Sequence, residues 1–199
     1  MLPKSRSPEF FFILGLPRSR TAWLANWLTT DHTTCLHDAW RYVKTATELR
    51  KLLLNLDTMD TQRYLGTADS LTGWRYEELR AEVPTARFLL IERPIEDATS
   101  STLKLSFSPG LEHLSQLLLT LHEAHEQVKL GGIRRVNFED LDSEETIRGI
   151  QNYLTPELVF NTARLKMLNQ LRVIIHEDKY LEDVHEEFKV KLPSEPSVV

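Results

Sequence analysis

The sequence predicts an α/β fold of three layers, with helices on both faces of a mostly parallel sheet. Short continuous apolar runs, of the kind a strand buried on both faces needs, recur at residues 10–14, 64–69 and 87–93. Stretches with apolar residues at helical spacing stand between them. The polar clusters of chemical interest come just after expected strands, where a parallel sheet gathers its ligand-binding loops on one edge.

Residues 10–14, FFFIL, form the first expected strand. Gly15 to Arg20 break it, and from Thr21 the pattern turns helical, with Trp23, Leu24, Trp27 and Leu28 on one side. The polar connection TTDHTT (29–34) leads into CLHDAWRY (35–42), which has no regular period. T-A-T-E from Thr45 is a capping-box signature ahead of Leu49, Leu52, Leu53 and Leu56. YLGTAD (64–69) is the second strand, and a short helix from about Arg75 has to stop before Pro84. RFLLIER (87–93) is the third, followed by a helix from Thr99 to Leu105 and a break at Ser108-Pro109-Gly110. Leu114, Leu117, Leu118 and Leu121 mark a long helix over 111–129, ended by Gly131-Gly132. Residues 134–138 form a fourth strand. Asp142 and Glu145 read as the capping box of a helix carrying Ile147, Ile150 and Leu154, closed by Pro156. A last helix is expected over 157–172, with a charged stretch over 173–190. The domain is expected to span 1–190, with a frayed tail over 191–199.

At 199 residues and 41% hydrophobic content, one core is the expectation. The formal net charge of −5 argues against nucleic acid as the main partner. Cys35 is alone, which excludes a disulfide framework or thiolate metal site and suits a reducing, cytoplasmic setting. The run at Phe10 is too short for a membrane span and lacks the features of a signal peptide, so no membrane partner is expected.

The strongest chemical signal is the loop between the first strand and first helix. Strand, tight turn and helix aim backbone N–H groups and the positive end of the helix dipole at whatever lies over the loop. Arg18 adds charge, and Ser19 and Thr21 add hydroxyls, so the expected ligand carries a phosphate or sulfate. The nucleoside-triphosphatase loop G-x-x-x-x-G-K-[ST] does not fit. Counting from Gly15, Arg20 replaces its second glycine, Thr21 its lysine and Ala22 its magnesium ligand. PRSRTAW instead resembles the phosphosulfate loop P-[KR]-S-G-T-T-x-[LW] of sulfotransferases that use 3′-phosphoadenosine 5′-phosphosulfate (PAPS). Pro17, Arg18, Ser19 and Thr21 match it, while Arg20 stands for glycine and Ala22 for the second threonine.

RPIEDATSS, from Arg93 to Ser101, resembles the same family's 3′-phosphate motif, with Arg93, Asp97 and Ser101 in place and Pro94 one residue early. NFEDL (137–141) resembles its Y-E-D-L segment, whose carboxylates, here Glu139 and Asp140, would orient the loop arginines. The resemblance implies a P-loop-type sulfotransferase fold that binds PAPS and its product PAP without a metal. It implies sulfuryl transfer to a small-molecule or glycan acceptor, with Pro17, Arg18, Ser19, Arg20, Thr21, Ala22, Arg93 and Ser101 binding the nucleotide. Arg18 would also stabilise charge on the leaving phosphate. His37 and Asp38 are the catalytic candidates, because transfer needs a base for the acceptor's proton. Asp69 holds the alternative position after the second strand, and a surface or packing histidine is the competing account of His37.

A catalytically silent nucleotide- or anion-binding module on the same fold is the alternative, favoured by Arg20 and by the missing R-K-G-x-x-G segment. A nucleotide kinase comes third. His122, Glu123 and His125 stand close on the long helix but lack further ligands for a metal, so they read as ordinary helix-face residues. Trp23, Trp27, Trp40 and Trp74 read mainly as core, and an acceptor pocket would draw on Trp40 and Trp74.

Overall fold

Among the described residues the sheet has five strands rather than the four expected. In the computed structural model, which describes residues 7–56, 62–104, 111–129, 131 and 133–170, they are β1 (Glu9–Gly15), β2 (Thr33–His37), β3 (Tyr64–Asp69), β4 (Arg87–Glu92) and β5 (Arg134–Asn137). Their order is β2-β3-β1-β4-β5, and every neighbouring pair is parallel. The strand that sequence periodicity missed is β2, whose residues Thr33 and Cys35 are buried while His37 is exposed. One-sided burial leaves only alternate small or polar positions as a signal, and TTCLH lacks the apolar run that marked β1.

The α-helices among the described residues are α1 (Thr21–Leu28), α2 (Ala46–Leu56), α3 (Tyr76–Glu82), α4 (Ile95–Leu103) and α5 (Leu111–Lys129) between strands, and α6 (Glu144–Leu154) and α7 (Thr162–Gln170) after β5. Side chains of β1 alternate between two cores. Phe11 and Ile13 pack with Leu24, Trp27 and Leu28 of α1, Ile147, Ile150 and Leu154 of α6, and Leu165 and Leu168 of α7. Phe10, Phe12 and Leu14 pack on the other face with Leu49 and Leu53 of α2, Leu79 of α3 and Val128 of α5. Each phenyl ring so buried stabilises the fold by roughly 1.5–3 kcal/mol, which is why β1 holds the centre. Gly66 in β3 meets β1 too closely for any side chain, since a Cβ there would lie 2.4 Å from the Phe11 carbonyl oxygen. The three-layer α/β/α architecture is therefore the one the apolar runs predicted.

Several helix ends differ from expectation. The Thr45 cap is present, its hydroxyl accepting from Glu48 N at 3.2 Å, but the Glu48 carboxylate reaches back one residue further, accepting from Lys44 N at 2.7 Å. Ser143, not Asp142, caps α6, accepting from Thr146 N. Helix α4 starts four residues before Thr99, directly after Pro94, with Glu96 and Asp97 in the favourable first turn. The last helix begins at Thr162, behind Asn161, whose side chain accepts from Arg164 N.

Packing divides the chain at Leu168. The whole sheet belongs to the first unit, and of the second, Asn169–Val199, only Asn169 and Gln170 are among the described residues. The break at residues 108–110, the charged stretch over 173–190 and the tail over 191–199 lie outside them. Among the described residues no helix is long and apolar enough to cross a membrane.

Candidate functional site

The order of strands reverses at β1. The chain leaves β1 for β2 on one side, then crosses from β3 over β1 to β4 on the other. At such a switch point the loops at the strands' C-terminal ends diverge and open a crevice. The loop from Leu16 to Arg20 lies there, between β1 and α1. It turns tightly: Ser19 N donates to Leu16 O at 3.1 Å, and both Arg18 (φ 68°) and Arg20 (φ 61°) are left-handed. Gly15 lets the loop fold back, because a Cβ there would stand 3.2 Å from Ser19 Cβ and 3.3 Å from Ile91 Cβ. The first intrahelical bond of α1 runs from Leu24 N to Arg20 O, so the N–H groups of Thr21, Ala22 and Trp23 have no partner within the helix. Ser19 is fully buried, and its hydroxyl has no partner among the described residues. An unpaired buried hydroxyl in a loop of donors fits an incoming oxyanion. The Arg18 side chain is exposed, and Pro17 and Ala22 are half-buried.

Arg20, expected among the nucleotide-binding residues, has other partners. It occupies the N-cap position of α1, its guanidinium is 2.7 Å from Asp142, and it stacks over Trp23. The carboxylates of the NFEDL segment differ from expectation as well. Asp140 accepts from Asn137 Nδ2, and Asp142 is the carboxylate that reaches a loop arginine. Glu139 acts on Arg93 through charge alone. The acidic run after β5 was the signal available, but which acid reaches the loop depends on the 3₁₀ turn Phe138–Asp142.

Arg93, just past β4, is brought to the loop. It donates to the Arg18 carbonyl oxygen and lies flat over Phe138, 4.1 Å from the ring centre. Its Nε is buried without a partner among the described residues. Partial burial, and secondarily the neighbouring Arg18, lower its pKa, while Asp97 and Glu139 oppose the shift. Ser101 is half-buried on α4, two turns from Arg93 in the chain.

On the other side of the loop, His37 ends β2 and Asp38 follows in a left-handed turn (φ 52°). His37 Nε2 is 3.2 Å from Thr21 Oγ1 and 3.4 Å from Asp38 Oδ1, so His37 touches the first residue of α1 and Asp38 stands beside it. Partial desolvation of its ring lowers the pKa of His37 despite the nearby Asp69, and Arg41 adds to the lowering. That shift favours the neutral imidazole, the form a base requires. Asp69, at the end of β3, is 1% exposed. Its Oδ1 accepts from Leu71 N at 2.8 Å and its Oδ2 from Trp40 N at 3.1 Å. Burial raises its pKa to about 6, against the lowering effect of those two N–H bonds.

Trp40 is buried and donates its indole N–H to Thr72 Oγ1, whereas Trp74 is exposed and donates to the Thr120 carbonyl. His125 packs into the interior against Gly73, and burial lowers its pKa to about 4. It is a core histidine of α5.

Comparison with protein-family models and with curated proteins finds no match. Among solved structures, the chain is similar to the sulfotransferase domain of the Synechococcus PCC 7002 olefin synthase. The TM-score is 0.52 at 13% identity, covering 97% of this chain and 99% of that one. It is also similar to mouse sulfotransferase SULT7A1 complexed with PAP (TM-score 0.49, 13% identity, 96% and 70% covered). A shikimate kinase from Bacteroides thetaiotaomicron is a further neighbour (0.47, 12%, 82% and 99%). Only the first similarity exceeds 0.5, and at 13% identity it speaks to fold. The molecule is an α/β protein whose fold is like that of a sulfotransferase domain.

Proposed function

We propose that the protein is a sulfotransferase that moves a sulfuryl group from PAPS to a hydroxyl or amine of a small-molecule or glycan acceptor. The observation that carries it is the loop itself: two left-handed arginines fold it around the buried, unpaired Ser19 hydroxyl at the open end of α1, with Arg93 drawn against it. Ser19, Thr21, the first N–H groups of α1 and Arg18 would hold the 5′ group, and Arg93 with Ser101 the 3′-phosphate. When bound, PAPS supplies the sulfuryl group on a phosphate leaving group. His37 Nε2 takes the acceptor's proton, and Asp38, 3.4 Å away, stabilises the imidazolium that forms. Thr21 keeps the imidazole beside the loop. His37→Ala should cut transfer by roughly 10²–10⁴-fold while PAP affinity stays nearly constant.

Calorimetric titration with PAP tests the reading directly. Arg93→Ala should weaken PAP binding about ten- to a hundredfold, the worth of a charge-assisted phosphate contact. Adenosine 5′-phosphosulfate lacks the 3′-phosphate, so its binding should hardly respond. Arg18→Ala should weaken both. Equal losses for both ligands in Arg93→Ala would mean that the arginine only braces the loop through the Arg18 carbonyl. PAP binding without transfer to any acceptor would favour a silent binding module on the same fold.

A further inference from the structure

Asp69 occupies the position after the second apolar strand where a base was an alternative expectation. Its surroundings point to different work. At 1% exposure its carboxylate is walled off from any acceptor, and each oxygen already accepts a backbone N–H. One of those, Trp40 N, belongs to the 3₁₀ turn Ala39–Arg41 that follows His37 and Asp38. The other, Leu71 N, belongs to the 3₁₀ segment Ser70–Arg75 that follows β3. The same two segments are joined again by the Trp40 indole N–H on Thr72 Oγ1 and by Arg75 over the Trp40 ring. Asp38 N adds a bond to the Ala68 carbonyl.

We infer that Asp69 is a positioning residue, pinning the turn that carries His37 and Asp38 to the end of β3 and so holding His37 beside Thr21. This deepens the sulfotransferase reading and rests on it for its catalytic meaning. The pin needs a carboxylate. A carboxylate presents acceptors on both oxygens, whereas an asparagine or a protonated acid turns one of them into a donor that meets an N–H head on. The charged groups acting on Asp69 are Asp38, which opposes its ionisation, and His37, which favours it. Burial pushes the Asp69 carboxyl up to about 6, within reach of ordinary assay conditions.

The test is amide hydrogen exchange at Trp40 and Leu71 in the unliganded protein, corrected for intrinsic rates, between pH 5 and pH 8. Protection of one or both amides should fall about tenfold as pH drops through 6, the scale of one lost hydrogen bond. In Asp69→Asn it should be low and flat with pH. Thr72→Val, which removes only the indole bond, should loosen the turn and keep the pH dependence. In Asp69→Asn, transfer kcat should fall on the order of 10–100-fold through misplacement of His37, with PAP affinity unchanged. Protection flat with pH in the wild type, or Asp69→Asn matching the wild type, would overturn the inference. A wild type that binds no PAP and transfers nothing would defeat the sulfotransferase reading alone, since the exchange result stands without any ligand. Should Asp69→Asn fail to fold, the wild-type pH series and Thr72→Val still decide.

Discussion

Arg20 holds a conformation that suits glycine, and the gain and loss can be weighed. A non-glycine residue in the left-handed region gives up about 1–2 kcal/mol. Against this stand an ion pair to Asp142, worth about 0–1 kcal/mol because Asp142 is 83% exposed, and a contact with Trp23 of about 0.5–1 kcal/mol. The two sides nearly cancel. Arg20→Gly should therefore leave stability within about 1 kcal/mol of the wild type, with Arg20→Ala lower than Arg20→Gly by a similar amount, read by denaturant unfolding. PAP affinity should hold within a few-fold in Arg20→Gly, because the guanidinium is turned to Asp142. Two buried titratable residues give a second residue-scale prediction. The native state refuses His125 a proton that the unfolded chain accepts, so this group's stabilisation is lost as pH falls from 6.5 towards 4. Asp69 has the opposite sign: the native state binds its proton near pH 6 and the unfolded chain only near 3.8, so its contribution rises as pH falls through that window. Each is worth up to about 3 kcal/mol. Asp69→Asn should thus lose stability more steeply than the wild type between pH 6.5 and 4, and His125→Gln less steeply. Parallel curves would refute both assignments.

Among the elements, the helix that presents the anion loop is short, and its far end is held from outside. Arg164 of α7 donates to the carbonyls of Asn26 and Thr29 at 2.6 Å each, satisfying groups the C-terminus of α1 leaves open. Arg164→Ala should cost about 1–2 kcal/mol in denaturant unfolding and raise amide exchange in the last turn of α1. Its loop end, anchored through Thr21 and Leu24, should be little affected. This support was invisible in the sequence, since residues 138 positions apart meet only through the stacking of α7 on α1. The strand–loop–helix itself was legible because its signals are local: an apolar run, a turn, then helical spacing. Helix α4 was read four residues short, and Pro94, noted only as early in its motif, is the residue that opens it. Of the candidate site, the sequence named residues but not the partners they meet in the fold. Nothing in the chain's order says that Asp142 rather than Glu139 meets Arg20, or that Thr21 meets His37.

At the scale of the whole molecule, a ligand that binds only the folded state must raise its stability. At a hundred times its dissociation constant, PAP should add about 2.7 kcal/mol, a rise in Tm of roughly 5–10 °C for a chain of this size. Magnesium–ATP should add much less, because Thr21 and Ala22 stand where a triphosphatase has lysine and the magnesium ligand. An equal rise with magnesium–ATP would place the loop in the kinase class. The sheet order carries a last consequence. The anion loop hangs from β1, the innermost strand, while His37 and Asp38 hang from β2, the outermost on its side, joined to the sheet through β3 alone. On the proposed reading, donor recognition and acceptor chemistry would be mounted on different timbers, one built into the frame and one nailed to its margin. If that reading holds, an engineer could recut the margin, exchanging β2 and its turn to admit a new acceptor, and leave the proposed nucleotide berth as it stands.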